Sequence, residues 1–500
     1  MTNLSDLFPA GAGKQVSFTA SGNVTSSGKP VVLNSDGTVS EVSGTTFGIG
    51  TPVQLTGSPA IGNEIRLAYD TGQDRVVVLW MEYSSRDLYL TAGEVSGSSI
   101  TWGTSVLIFS GIDSGAVLGL TYHSAESCIL YCFEDSSTVY AGVATLSGST
   151  ITDNSGSRAS VSEGVNWLNA VYDATNSKTL IYAKDDTTPT NVGVCWAVTV
   201  SGTTPTFSSS YAWTGATGLD VASAVHDPDQ QRIVIAIAGV GSVQGSVVLI
   251  DCSGATPTGT SFISFQATNA YAPIITYDTT NDKIVISYYD NDNSSYLSYI
   301  AGTVNAAGNT VTFGTKTTQT EQLTRYPSYK SMTFDTTNDQ ALCAYQNSDN
   351  AGASNYGSYV QNVTLSGTTV VLGSINTIFA GNGGSNAYYY SSSIYDPDTN
   401  KLVFLYAEGA TPLLGYGSVI TPGGTNVTAS NFLGISDAAI SSAASGNITI
   451  KGGIAATGLS SLTPASDYYV QDDGTITTVS SDVKAGKALS ATAINLEYQS

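Results

Sequence analysis

Five carboxylates occupy equivalent positions along the chain, and each closes a short apolar run. Each lies seven residues after the residue that opens its run, as Glu82 follows Arg75. The five are Glu82, Glu134, Asp185, Asp290 and Glu408. Gly239 and Asn347 occupy the same position in two further runs. Carboxylates and amides hydrogen-bond hydroxyl groups, so a ring of these side chains could bind the hydroxyls of a sugar.

Aromatic residues precede several of these runs. They are Trp167, Trp213, Tyr271, Tyr326, Tyr388, Tyr389 and Tyr390. An apolar ring face beside a few polar groups is typical of a small-molecule site. We therefore predict a glycan-binding face that combines the five carboxylates with Trp167, Trp213, Tyr271 and Tyr326. The alternative is that the aromatics pack between structural units and the carboxylates cap strand ends.

The residues for nucleophilic or zinc catalysis are scarce. The chain has two histidines, His123 and His226, and both fall in slots of a repeated motif. Catalytic triads and zinc hydrolases depend on histidine, so we predict no catalytic residue and no cofactor. Glycoside hydrolysis needs only two carboxylates, and a propeller glycoside depolymerase therefore stays open as an alternative. Against it, the Ser-x-Asp-x-Gly-x-Thr-Trp box and the arginine cluster of sialidases are missing from the sequence.

Hard cations prefer oxygen ligands, and Asp290-Asn291-Asp292 is the best local cluster of them. No EF-hand spacing accompanies this cluster. We therefore predict no metal site.

A repeat sets the positions of all these residues. An aromatic is followed by Asp, a polar turn, often a basic residue and a β-branched run, as in Tyr277-Asp278 leading to Lys283. Successive aromatics are 53, 50, 54, 51, 57 and 61 residues apart: Tyr69, Tyr122, Tyr172, His226, Tyr277, Phe334 and Tyr395. A period near fifty is typical of propeller blades. The recurring Asp is predicted to form the turn, because its side chain can accept from backbone amides two residues on.

Each repeat contains four short runs rich in Ile, Val, Tyr and Thr, which predicts a four-stranded antiparallel meander. Residues 41–48 resemble 94–103, which close the first repeat, so an N-terminal strand is expected to complete the last blade. Such a strand would close the ring and remove exposed sheet edges. We predict an all-β fold with a seven-bladed β-propeller over residues 45–425.

The two ends of the chain resemble each other. Residues 30–39 and 467–476 both alternate around Asp-Gly, at Asp36-Gly37 and Asp473-Gly474, which is a strong hairpin signal. We predict that an N-terminal segment, 1–44, pairs with a C-terminal module, 426–500, in one small β domain.

Composition excludes several function classes. The 500 residues carry a net charge of −22 with no basic run, which argues against nucleic-acid binding. Neither an export signal nor a stretch of 18 apolar residues occurs, so no membrane insertion is expected. The five cysteines lie in or beside apolar runs without CxxC pairs and are predicted to be buried free thiols.

The C-terminal stretch resembles a β module of structural proteins of tailed bacteriophages. The resemblance rests on Phe432-Leu433-Gly434-Ile435-Ser436, Ile448-Thr449-Ile450-Lys451-Gly452-Gly453, Leu462-Thr463-Pro464, Tyr468-Tyr469-Val470, Asp473-Gly474-Thr475 and Ala485-Gly486-Lys487-Ala488-Leu489. The opening Gly28-Lys29-Pro30-Val31-Val32-Leu33 is similar to openings of the same proteins, and the repeat resembles phage fibre propellers. The resemblance implies a virion component.

We therefore expect a fibre or appendage protein of the virion, assembled in the host cytoplasm, that attaches to host-surface polysaccharide through the propeller. Expected partners are other virion proteins and further copies of the chain, with a trimer as one option. A capsid decoration or connector protein without a receptor role is the main alternative.

Overall fold

The computed structural model describes residues 14–34, 36–55, 61–113, 117–185, 193–213, 219–239, 244–321, 327–347, 357–379, 388–408, 414–425, 427, 431–471, 473–481 and 483–497. Regular structure in these ranges consists of β-strands and two single 3₁₀ turns, Ser155–Ser157 and Asn291–Asn293. The predicted all-β class is confirmed. The chain forms two compact units: Met1–Phe47 with Pro422–Ser500, and Gly48–Thr421.

The strands are numbered in chain order, and the first six precede the repeats. They are β1 (Gln15–Thr19), β2 (Pro30–Leu33), β3 (Val39–Glu41), β4 (Gly44–Thr45), β5 (Gly48–Ile49) and β6 (Val53–Gln54). Sheets I to III then follow, one from each repeat. Sheet I has β7 (Ile61–Asp70), β8 (Arg75–Glu82), β9 (Leu88–Ser96), β10 (Ser99–Trp102) and β11 (Val106–Phe109). Sheet II has β12 (Leu118–His123), β13 (Cys128–Asp135), β14 (Thr138–Ser147), β15 (Thr150–Asp153) and β16 (Ala159–Val161). Sheet III has β17 (Val165–Asp173), β18 (Lys178–Asp185), β19 (Gly193–Ser201), β20 (Thr204–Phe207) and β21 (Tyr211–Trp213).

Sheets IV to VII continue the series. Sheet IV has β22 (Leu219–Asp227), β23 (Arg232–Gly239), β24 (Gly245–Asp251), β25 (Thr258–Gly259) and β26 (Ile263–Gln266). Sheet V has β27 (Ala270–Asp278), β28 (Lys283–Asp290), β29 (Tyr296–Asn305), β30 (Thr310–Phe313) and β31 (Thr317–Thr318). Sheet VI has β32 (Pro327–Asp335), β33 (Gln340–Asn347), β34 (Ser358–Ser366) and β35 (Thr369–Phe379). Sheet VII has β36 (Tyr388–Asp396), β37 (Lys401–Glu408) and β38 (Leu414–Thr421).

Each of these sheets is an antiparallel meander in sequence order. Sheet VII takes its outer strands from the N-terminal side, because β5 and β6 both pair with β38. The first strand of each sheet contacts the first strand of the next, and β36 contacts β7. Apolar clusters fill the spaces between neighbouring sheets. One cluster joins Trp80 of sheet I to Leu405 of sheet VII.

The repeated Asp forms the turn between the first two strands, as predicted. Asp278 Oδ1 accepts from the backbone N of Thr280 at 3.0 Å and of Asn281 at 2.9 Å. Equivalent bonds occur at Asp70, Asp173, Asp227, Asp335 and Asp396. The last turn residue has a left-handed φ of 49° to 57° in every repeat: Asp74, Ser127, Ser177, Gln231, Asp282, Asp339 and Asn400. The motif is therefore a backbone device, which explains why it recurs.

The aromatic of the repeat faces the turn between the first two strands of the preceding sheet. Distances of 2.9 to 3.3 Å join four such pairs: Tyr172 Oη and Ala125 N, His226 Nε2 and Asp173 Oδ1, Tyr277 Oη and Asp229 Oδ2, and Tyr395 Oη and Thr337 Oγ1. Between sheets VII and I, burial together with the charge of Asp396 raises the pKa of Tyr69. The repeat thus connects neighbouring sheets as well as neighbouring strands.

The other unit contains two five-stranded sheets and a two-stranded ribbon. The remaining strands are β39 (Gly424–Thr425), β40 (Phe432–Ser436), β41 (Ser445–Ile450), β42 (Ile454–Ala455), β43 (Asp467–Val470), β44 (Ile476–Thr477), β45 (Lys484–Ser490) and β46 (Ala493–Leu496). Sheet VIII has the order β1-β41-β40-β2-β3, sheet IX has the order β42-β46-β45-β43-β44, and β4 pairs with β39.

Both termini contribute to this unit, but the C-terminal residues also form sheet IX by themselves. The sequence-based boundaries at 44/45 and 425/426 lie a few residues from the observed ones, 47/48 and 421/422.

Candidate functional site

The predicted carboxylates lie at or beside the end of the second strand of their sheets. Glu82, Asp185, Asp290 and Glu408 are the last residues of β8, β18, β28 and β37, and Glu134 is the penultimate residue of β13. The repeat therefore places them at equivalent points, where the second strand turns into the third.

Glu82 caps the turn that follows its strand. Its side chain accepts from Ser84 N at 3.1 Å and from Ser84 Oγ at 2.6 Å, and it also bonds the backbone N of Ser85. Glu82 is only 3% exposed. Burial alone would raise the pKa of Glu82, but the bonds from Ser84 and Ser85 outweigh it and lower the pKa to about 2. An ionised carboxylate already satisfied by local donors stabilises this turn.

Asp290 has the same role in sheet V and is fully buried. It accepts from Asp292 N at 3.2 Å and from Asn293 Nδ2 at 2.6 Å, within the 3₁₀ turn 291–293. Lys316 Nζ lies 2.7 Å from Asp290 Oδ2 and neutralises its charge. The Asp290-Asn291-Asp292 cluster is thus held by protein donors. Within the described ranges, no three His, Cys, Asp or Glu side chains are grouped to hold a metal ion.

The other predicted carboxylates are Glu134, Asp185 and Glu408. Glu134 Oε1 accepts from Ser137 N at 2.7 Å, again across a turn. Asp185 is buried. The side chain of Glu408 lies outside the described part of the chain. The bonds of Glu82, Glu134 and Asp290 favour strand-end capping, the alternative interpretation of this ring.

The predicted aromatics fall into three environments. Trp213 is 3% exposed and packs over Gly193 in a core cluster of sheets III and IV, so its ring is unavailable for stacking on a ligand. Tyr271 is half-buried, with its ring centroid 5.3 Å from that of Tyr289. Tyr326 and the side chains of Tyr388, Tyr389 and Tyr390 lie outside the described residues.

Trp167 differs from the other described aromatics of the set. It is 39% exposed and has a φ of +62°, a left-handed conformation that is a genuine outlier for a bulky side chain. It sits at a β-bulge in β17, between Asn166 and Leu168. Such a backbone costs on the order of 1–3 kcal/mol and is often retained where function requires it. Its cross-strand surroundings include Lys184, which pairs with Asn166.

The bulge itself recurs and was not anticipated from the sequence. Register shifts interrupt the first strand in six sheets: after Ile61, Asn166, Leu219, Tyr271, Ser328 and Tyr389. Bulges redirect side chains at the rims of barrels and beside binding sites. The spacing of the repeat gives no sign of them, because the extra residue is absorbed within a strand of otherwise normal length.

Tyr83 is a second exposed aromatic that the sequence did not single out. It follows Glu82 directly and is 53% exposed. The signal that could have revealed it is its position in the turn after the second strand, where the capping carboxylate holds the backbone and the next side chain projects outward.

All five cysteines are buried free thiols, as predicted. Burial raises the pKa of Cys128 and of Cys252 to about 12, so both stay protonated and unreactive. No helix in the described ranges has the length and apolarity needed to cross a membrane.

No protein-family model matches the chain, and no curated protein matches it. Among solved structures, the Dos1 propeller aligns with 10% identity over 74% of this chain and 95% of that one, at a TM-score of 0.43. The NanB sialidase from Streptococcus pneumoniae aligns with 10% identity over 75% of this chain and 70% of that one, at 0.43. A protein from Lactobacillus plantarum aligns with 13% identity over 74% and 97%, at 0.45. These TM-scores are below 0.5, so the interpretation rests on sheet topology and local geometry.

Proposed function

We propose that the unit formed by residues 48–421 is a closed seven-bladed β-propeller that binds a glycan at the rim carrying Trp167. Closure is supported by the contact of β36 with β7 and by the completion of sheet VII by β5. A closed ring leaves no unpaired sheet edge and gives a rigid platform for a binding surface.

The observation that carries the binding proposal is Trp167. Its backbone has an unfavourable left-handed φ, yet its side chain stays 39% exposed, so the strain does not serve to bury the indole completely in the core. An exposed indole presents a flat apolar face, and Asn166 and Lys184 beside the bulge supply amide and ammonium donors. Sugars combine apolar ring faces with hydroxyl acceptors and match this combination.

A glycan array probed with the full chain and with Trp167→Asn tests the site. Asn tolerates the left-handed conformation, so this variant keeps the bulge while removing the ring. We expect binding to weaken by roughly tenfold, since an aromatic contact is worth about 1.5 kcal/mol.

Leu107→Ala is the matched control, because Leu107 is 46% exposed on β11, an outer strand of sheet I. It should bind like the unmodified chain. Equal binding by Trp167→Asn and the unmodified chain would exclude Trp167 as the platform, and a complete lack of glycan binding by the unmodified chain would exclude the proposed activity.

We further propose that the protein is an appendage of a phage virion and attaches to host polysaccharide as a homo-oligomer. This part rests on the resemblance of the C-terminal residues to phage structural modules. Immunogold labelling of intact particles tests it, and exclusively internal labelling would rule out a receptor role. The mass of the purified protein in solution, by light scattering, gives the copy number.

A further inference from the structure

Sheets VIII and IX have the same topology. The order β1-β41-β40-β2-β3 matches β42-β46-β45-β43-β44 strand for strand when β1 is equated with β42. We call residues 14–42 with 431–451 the first module and residues 453–497 the second module. The correspondence gives each residue of one module a counterpart in the other.

The hairpins of the two modules agree in detail. Thr38 N donates to Asp36 Oδ1 at 2.9 Å, and Thr475 N donates to Asp473 Oδ1 at 2.8 Å. The following glycines, Gly37 and Gly474, have φ of +83° and +78°. The same turn thus connects β2 to β3 and β43 to β44.

The residues that lead into each hairpin form the same backbone hydrogen bonds in both modules. Gly28 N donates to Ser436 O at 2.8 Å, and its counterpart Ala465 N donates to Ala488 O at 2.8 Å. Both donors have positive φ, +81° at Gly28 and +68° at Ala465. Ser436 N and Ala488 N return equivalent bonds to Lys29 O and Ser466 O, at 2.8 and 2.9 Å.

A bulge occurs at the same place in both sheets. The register of β2 with β40 shifts between Val31 and Val32, and that of β43 with β45 shifts between Tyr468 and Tyr469. Gly434 and Gly486 are the counterparts at this point. A Cβ on either would lie about 2 Å from a backbone oxygen, 2.1 Å from Thr449 O and 1.9 Å from Asn495 O. The hairpin turn, the backbone bonds before it, the bulge and the close-packed glycine are therefore the same in the two modules.

We infer that the unit contains two copies of one module and that residues 48–421 are a guest domain carried by the first copy. The guest lies between β3 and β40, and the equivalent connection in the second module is residues 478–483, between β44 and β45. Val479 in this connection is 65% exposed. The second module therefore has an unused display site for a folded domain.

The two modules differ where they pack together. Val32 and Phe432 of the first module share a buried cluster with Val470, Val483 and Ala485 of the second. Ile435 joins the core of the second module in the same way. The first module thus buries both faces of its central strands.

The second module is the end of this stack. In the second module, Lys484 and Lys487 occupy the positions of Phe432 and Ile435. Their Nζ atoms lie 3.2 and 3.4 Å from Asp467 Oδ1. A polar outer face is typical of a terminal repeat, because it removes the apolar surface on which a further copy would dock.

Insertion into the full chain tests the assignment. Gly-Ser segments of about 10, 20 and 40 residues between Val479 and Ser480 should destabilise the second module only by the closure of a longer loop, which shifts the equilibrium about threefold for every doubling of loop length. A small folded domain with adjacent termini, inserted at the same point, should change the stability of the second module about as much as the longer segments do. Hydrogen exchange of the Ala488 and Leu496 amides measures the stability of the second module directly.

The matched control places the same segments between Gly474 and Thr475, in the hairpin whose geometry both modules keep. At each length, we expect this insertion to accelerate exchange of Ala488 and Leu496 at least tenfold more than the same segment placed after Val479. Equal acceleration at both points would overturn the assignment of residues 478–483 as a display site. These outcomes do not depend on glycan binding.

Discussion

The packing of Trp213 over Gly193 makes a sharp prediction about sheet III. A Cβ added to Gly193 would lie 1.8 Å from Trp213 Cε2 and 2.1 Å from both Cζ2 and Nε1. Carbon atoms in contact are normally about 3.5–4.0 Å apart, so the ring would have to move by more than about 1.5 Å. Trp213 is 3% exposed and surrounded by core residues, which leaves no room for that movement.

Gly193→Ala should therefore destabilise the unit by about 3 kcal/mol, the upper end of the usual cost of overpacking. Trp213→Ala should cost about 3–5 kcal/mol through the cavity it leaves. In the double variant the methyl group added at position 193 enters space that the indole has left. We expect the double variant to cost no more than Trp213→Ala alone, which gives a coupling energy of about 3 kcal/mol.

Urea unfolding of the four proteins, followed by circular dichroism, measures this cycle. Gly156→Ala is the control, because a Cβ at Gly156 meets no atom within 4 Å. It should change the free energy of unfolding by less than about 0.5 kcal/mol. If Gly193→Ala is equally mild, or if the two changes are additive, the inferred packing of Trp213 on Gly193 is wrong.

Three further predictions concern the repeat and the capping carboxylates. Asp278→Ala should cost about 2–4 kcal/mol in urea unfolding because it leaves the Thr280 and Asn281 amides without an acceptor, and Asp278→Asn, which keeps an acceptor oxygen, should cost about half as much. Phe334→Tyr should stabilise the protein by about 0.5–1.5 kcal/mol. Tyr395, at the same position of the repeat, donates its hydroxyl proton to Thr337 in the preceding sheet, and the added hydroxyl should form the equivalent bond. An unchanged urea midpoint would contradict this. Because the folded-state pKa of Glu82 is lowered from 4.5 to about 2, its contribution to stability is complete above pH 4.5 and is lost as the pH falls toward 2. Melting temperatures measured from pH 6 to 2 should fall less steeply for Glu82→Gln, and identical slopes would show that the cap is not formed.

Much of the architecture was predictable because the repeat is a local backbone device. Tyr277-Asp278 and its counterparts specify a turn through bonds between near neighbours and one left-handed residue, and such a turn occurs wherever the motif occurs. The N-terminal strand of sheet VII was predictable for a similar reason, since residues 41–48 resemble the end of the first repeat. The predicted strand lay a few residues before the observed β5, because a resemblance of short polar segments does not fix the register.

The candidate site was less predictable. Trp167 and Trp213 were both predicted to lie on the glycan face, yet Trp167 is exposed on a bulge of β17 and Trp213, in β21, packs on Gly193. Glu82 and Asp290 looked like ligand acceptors, and the structure pairs them with donors from their own turns. Both terminal segments lie in one compact unit, and its two sheets of the same topology were not foreseen, because that topology lies in pairings between distant residues.

By itself, the sequence determined the strands, the period, the turn chemistry and the fate of the cysteines, because these depend on residue type and on neighbours within a few positions. Tertiary structure decided which aromatic remains exposed, which carboxylate is already bonded and where one module interrupts another. Those properties depend on atoms brought together from separate strands, and the spacing of residues along the chain does not record them.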